Sequence, residues 1–199
     1  MSFTIHNCRI TVSFFFVAMV AIVLLEDKSG TSLLAFLAAA LHEAGHLIVM
    51  RAFGVKPSQI RFTPFGIDII KSCCVDRSYR RDALISFAGP CANIAMFLLL
   101  SALQFSIGNS FMLANLIFAL FNLLPIEPLD GGQALYSLLC MKFSADQSAK
   151  AVAIVSFAVL TPLAIVGFLT VFRSPGNYSL LLVCGYLMAL LLFKNGRYY

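Results

Sequence analysis

The chain has 199 residues, of which 60% are hydrophobic and only 12% charged, and its mean hydropathy is +0.92. A soluble core needs far less apolar surface, so the composition excludes an ordinary soluble domain and reads as an all-α polytopic membrane protein. The net charge of +5 does not argue for nucleic acid: no Lys/Arg-rich helix with interleaved aromatics accompanies it, and in membrane proteins such an excess marks cytoplasmic loops.

In chain order, Ile10 to Leu25 is apolar without interruption. It ends in Glu26-Asp27 with no small-residue cleavage site, so it predicts a retained first membrane helix. Ser32 to Met50 predicts a second. Arg51 to Asp82 is the longest polar segment. Within it, Gln59 to Thr63 alternates like a strand, Pro64 and Gly66 interrupt, and Ile67 to Ile70 resumes, which predicts a small β-hairpin. That hairpin reads either as a solvated connector or as an edge that pairs with an extended peptide.

Ala83 to Leu103 predicts the third span and Phe111 to Leu124 the fourth. The fourth runs into Pro125-Ile126-Glu127-Pro128-Leu129-Asp130-Gly131-Gly132, where two prolines and two glycines in eight residues forbid a regular helix. Irregular backbone at membrane depth is tolerated only where protein buries it or it lines a wet cavity. Ala134 to Lys150 reads as a short interfacial helix, Ala151 to Phe172 as a fifth span and Ser179 to Phe193 as a sixth. With six spans and a cytoplasmic N-terminus, twelve of the fourteen Lys and Arg residues fall on the cytoplasmic side and only Lys28 and Arg173 on the other. The expectation is one membrane-embedded domain over residues 1–199 with both termini cytoplasmic.

The chemistry-bearing stretch is His42-Glu43-Ala44-Gly45-His46, an H-E-x-x-H motif inside the second apolar run. On a helix, His42 and His46 are one turn apart on one face and can share a metal ion, while Glu43, offset by one residue, can reach a water there. Ionisable groups at this depth are costly and read as a functional site. A catalytic zinc commonly takes three protein ligands and keeps one position open. The third is not the histidine of the extended metzincin motif, because Val49 stands where that motif needs glycine. His6 lies outside the first span. Among the carboxylates, Asp68, Glu127 and Asp130 are candidates, and Asp130, after the break at the end of a span, has the best reach. Glu43 then takes a proton from water and returns it to a leaving amine. Asn122 and, more weakly, Asn93 and Pro125 are candidates to bind an extended substrate, although membrane asparagines also simply join helices. Cys91 and Cys184 read as small buried thiols; adjacent Cys73 and Cys74 could in principle hold metal or oxidise, but no partner Cys or His lies nearby in sequence, which disfavours it.

Three stretches in order, His42-Glu43-Ala44-Gly45-His46, Ala88-Gly89-Pro90 with Asn93, and Asn122 through Pro125 and Pro128 to Asp130-Gly131-Gly132, resemble the site-2 protease family of intramembrane zinc metalloproteases. The resemblance covers Leu41 to Gly132 and implies a three-helix catalytic core over about residues 32–132. It implies Glu43 as catalytic base, His42, His46 and Asp130 as ligands of one zinc ion, and Asn122 near the substrate. It also implies substrates that are single-span or membrane-tethered proteins, and leaves room for regulatory membrane proteins and self-association. Six spans without an inserted PDZ-like or CBS domain look most like the sporulation branch that includes stage IV sporulation protein FB, which processes a sigma-factor precursor. Gln133, where the family often has a basic residue, and Glu127 between the prolines depart from the pattern. Two other readings compete: a metal-ion transporter, disfavoured by a single break and no internal repeat, and an inactive relative acting as a membrane chaperone, disfavoured by the intact Glu43.

Overall fold

The computed structural model describes residues 2–5, 8–63, 66–71, 78–103, 109–173 and 178–193. Its elements in order are β1 (Ser2–Ile5), β2 (Cys8–Val12), α1 (Phe14–Glu26), α2 (Thr31–Ala52), β3 (Pro57–Thr63), β4 (Gly66–Lys71), α3 (Tyr79–Ala102), α4 (Asn109–Asn122), α5 (Asp130–Leu139), α6 (Ala145–Arg173) and α7 (Ser179–Phe193). The chain divides into two compact units, Met1–Ser78 with Ala88–Ala119, and Tyr79–Phe87 with Leu120–Tyr199.

The first unit holds the sheet and α2. The expected hairpin forms, with β3 and β4 antiparallel and Ile60 opposite Ile69. It belongs, however, to a four-stranded sheet in the order β1-β2-β3-β4, in which β2 runs parallel to β3 with Ile10 opposite Ile60. This corrects the expected first span. Cys8 to Val12 is rich in β-branched residues and pairs with β3, so the helix begins only at Phe14. The Ser13 amide donates to the Phe62 carbonyl at 3.0 Å, and Phe16 packs on Phe62, which ties the start of α1 to the sheet.

Each of the six expected apolar runs carries an apolar helix. Among the described residues, α2, α3 and α6 are long and apolar enough to cross a membrane, and α1, α4 and α7 are apolar but shorter. The 13 residues of α1 rise only about 20 Å against a hydrocarbon core of about 30 Å. The long helices are inside-out by soluble standards. Helix α2 buries Ala38, His42, Gly45, His46 and Met50 along one face while Leu33, Leu37 and Ile48 are exposed. In water this arrangement would be unstable, whereas against lipid the apolar face needs no protein cover.

In the second unit, α6 repeats the pattern, burying Ser148, Val152, Ser156, Leu160 and Gly167 and exposing Ile154 and Phe168. Ile126, Leu160 and Leu187 form its packed centre. The expected interfacial helix over 134–150 is instead two pieces: α5 begins at Asp130 and ends at Leu139, and α6 starts anew at Ala145. The cause is a reciprocal cap. The Gln147 amide donates to Ser144 Oγ and the Ser144 amide to Gln147 Oε1, both at 3.3 Å, which fixes a fresh helix N-terminus. Cys184 is buried as expected, but Cys91 faces outward from α3.

Candidate metal centre

In the first unit, α2 carries its two histidines one turn apart and buried, with His42 3% and His46 8% exposed. Their Nε2 atoms lie 3.1 Å apart and their rings meet edge to face. Two imidazoles bound to one tetrahedral zinc at about 2.0–2.1 Å bring their nitrogens to about 3.4 Å, so the pair stands near liganding geometry. Phe118 of α4 packs edge-on against His42, with ring centroids 5.1 Å apart, and limits how that imidazole can turn.

Opposite the pair lies Gly89 of α3. A Cβ built there would stand 2.7 Å from His42 Nε2 and closer still to His46 Nε2. The space beside both nitrogens exists because residue 89 has no side chain, and that space suits an ion held by both rings. One helical turn away, Gly45 lets α2 approach α3 closely, since a Cβ there would meet the Ala88 carbonyl at 2.7 Å and Ala92 Cβ at 2.8 Å. Asn93, wholly buried, donates its amide Nδ2 to the Ala38 carbonyl of α2 at 3.1 Å. That bond joins α3 to α2. Asn115 likewise donates within its own helix, to the Phe111 carbonyl at 2.8 Å. Glu43 is half-buried on α2, one residue round from His42.

In the second unit, α4 ends at the half-buried Asn122, two residues short of the expected end at Leu124, and residues 123–129 run without regular helix to α5. The break is compact. The Ile126 amide donates to the Leu124 carbonyl at 2.7 Å and the Leu129 amide to the Ile126 carbonyl at 2.8 Å. Gly131 and Gly132 are required by close approach: a Cβ at Gly131 would collide with the Leu123 and Leu124 carbonyls, and one at Gly132 with the Ile126 carbonyl. The middle of the break is held from α6. Ser156 Oγ accepts the Glu127 amide at 2.9 Å and lies 3.4 Å from the Pro125 carbonyl. Asp130 is the first residue of α5, half-buried, where the free amides and dipole of a helix start favour a carboxylate. Glu127 is 7% exposed in the break.

The first unit thus offers two imidazole nitrogens, from His42 and His46, and the second a carboxylate at Asp130. Two imidazoles and one carboxylate are a donor set suited to a catalytic zinc. His6, Cys73 and Cys74 lie outside the described residues, as does the side chain of Asp68. The sequence reading assigned no role to Ser156 or to Gly89. Gly89 stood in plain view within Ala88-Gly89-Pro90, whereas Ser156 is one small residue in an apolar run with no local signal.

Comparison with solved structures decides the fold. A site-2 protease from Methanocaldococcus jannaschii matches over 100% of both chains with a TM-score of 0.70 and 22% sequence identity. The chain has the site-2 protease fold. Residues 101–165 also match Peptidase family M50. A zinc metalloprotease of Methanocaldococcus jannaschii is 32% identical over 128 residues, which are 59% of this chain and 37% of that protein. A second curated relative, from Synechocystis sp., is 32% identical over 118 residues, 55% of this chain and 31% of that protein. The chain therefore spans less than half the length of these curated relatives. Within the site-2 protease fold, the M50 segment contains Asn122, Asp130 and Ser156 but not His42 to His46. The H-E-x-x-H motif is thus a feature of the chain additional to the matched segment.

Proposed function

We propose that this chain is an intramembrane zinc metalloprotease of site-2 protease type, hydrolysing a peptide bond in or beside the membrane segment of a membrane-tethered protein. The observation that carries the reading is the pair of buried imidazoles whose Nε2 atoms face the space left by Gly89. His42 and His46 from α2 and Asp130 at the start of α5 hold the ion. Zinc, when bound, supplies Lewis-acid polarisation of the scissile carbonyl and acidifies water at neutral pH. Glu43 takes the proton of the attacking water and hands it to the leaving amine, a role suited to a carboxylate one residue from a ligand on the same helix. Asn122, at the end of α4, hydrogen-bonds the extended substrate backbone.

The Lys/Arg asymmetry supports a site nearer the cytoplasmic face. The substrate class is a single-span or tethered protein, and the sporulation-type resemblance makes a sigma-factor precursor the first candidate. The test is co-expression of the chain with tethered reporter substrates. Glu43→Gln is expected to keep zinc and fold while cleavage falls by at least about 100-fold, the low end of what a general base contributes. Undiminished cleavage by Glu43→Gln contradicts the protease reading.

A further inference from the structure

We propose that Ser156 is a positioning residue for the metal centre: by pinning the break from α6, it sets where Asp130 stands. The inference rests on the reading of Asp130 as a zinc ligand and goes beyond it to a residue on the next helix of the chain. Ser156 is completely buried on the inner face of α6. Its hydroxyl proton goes to the Val152 carbonyl one turn back at 2.7 Å, which leaves its oxygen free to accept. It accepts the Glu127 amide at 2.9 Å. That amide lies in the non-helical stretch between Pro125 and Pro128, where neither proline has an N–H to anchor the chain. A buried backbone donor without a partner is costly, so the hydroxyl both satisfies the amide and fixes its position.

The consequence passes to Asp130 over three residues with little slack. The Leu129 amide is bonded back to the Ile126 carbonyl and the Gln133 amide to the Leu129 carbonyl at 3.0 Å. Gly132 packs its bare Cα against the Ile126 carbonyl. Movement at Glu127 is therefore transmitted to the first turn of α5. Groups that orient a metal ligand characteristically change metal affinity by about 10–100-fold when removed.

The same helix supplies a control. Ser148 lies two turns earlier on the same buried face, 1% exposed, and its hydroxyl has no hydrogen-bond partner among the described residues. The experiment measures zinc affinity of the metal-free full-length chain in detergent by chelator competition. Ser156→Ala is expected to weaken zinc by about 10-fold or more and to lower kcat with KM unchanged. Ser156→Thr, which keeps the hydroxyl, restores most of the affinity, and Ser148→Ala matches wild type. Wild-type affinity in Ser156→Ala, or an equal loss in Ser148→Ala, overturns the proposal. Asp130→Asn separates the two levels: if it binds zinc as tightly as wild type, the ligand assignment itself fails and the proposal with it. If Asp130→Asn loses zinc while Ser156→Ala does not, only the Ser156 role fails.

Discussion

Helix α2 and the break before α5 position the proposed zinc donors in opposite ways. On α2 the backbone is regular, and the four-residue spacing of His42 and His46 alone puts both imidazoles on the buried face. Before α5 the backbone is irregular, and Asp130 stands where it does because carbonyls, bare glycines and a serine from another helix constrain residues 123–132. Periodicity costs nothing beyond the helix itself. Interruption leaves buried amides and carbonyls that each need a partner, so the second region depends on more of the chain. The difference teaches where the molecule is fragile: single substitutions on α2 remove chemistry, whereas single substitutions around the break displace it.

The contrast is broken most severely at Gly89. Gly89→Ala puts a methyl group into the space both Nε2 atoms face, while alanine is the better helix former by about 0.5–1 kcal/mol. Zinc affinity is expected to fall by more than about 100-fold, beyond the usual effect of outer-shell changes, with helix content by circular dichroism unchanged. Zinc retained at wild-type affinity would show that the ion does not use that space. Gly45→Ala should behave differently, loosening α2 from α3 and lowering stability and metal binding together, because its Cβ meets the Ala88 carbonyl rather than the imidazoles.

A milder test lies at the restart of α6. Ser144→Ala removes one half of the reciprocal cap and is expected to cost about 1 kcal/mol. In a chain of this size that is a fall of about 2–4 °C in Tm. Zinc affinity should not change, since the cap acts on α6 and not on the break. A matching loss of zinc would mean that the whole of α6, not Ser156 in particular, carries Asp130.

The smallest effect is expected in the turn between α1 and α2, outside the spans. Hydrogen bonds from the Ser29 hydroxyl and from the Ser32 and Ser29 amides hold the Asp27 carboxyl well below the usual carboxylate range. A lowered folded value means the contribution is complete above the unfolded value of about 3.9 and is lost only as pH falls through the folded one. Lowering the pH from 7 to 4 should therefore leave the Ser32 amide protected from exchange. A carboxyl titrating near 4 by NMR would contradict the bonding described.

Much of the site was readable in sequence, and unevenly so for physical reasons. His42, Glu43 and His46 declare themselves because a helix turns spacing directly into geometry. The break declared itself as a break, because Pro125, Pro128, Gly131 and Gly132 cannot continue a helix, but what holds it did not: Ser156 is brought to Glu127 by tertiary packing. The hairpin was legible as alternation, while the pairing of Cys8–Val12 with Pro57–Thr63 was not, since a strand that precedes an apolar helix reads as part of that helix. The restart at Ala145 was legible, as Ser144 followed three residues later by Gln147, and was overlooked in favour of the continuous pattern from Ala134 to Lys150. The apolar runs were legible because composition reports hydrophobicity, whereas the helix lengths within them, longest in α2, α3 and α6, are set by local strand pairing and capping.

The central claim is that α2 and the break together hold one zinc ion. X-ray absorption at the zinc edge, on the full chain carrying Glu43→Gln to prevent turnover, tests it most directly. The account predicts one zinc per chain with scattering from two imidazoles at about 2.0–2.1 Å and an oxygen shell that changes in Asp130→Asn. A chain that binds no zinc, or binds it without imidazole scattering, contradicts the account.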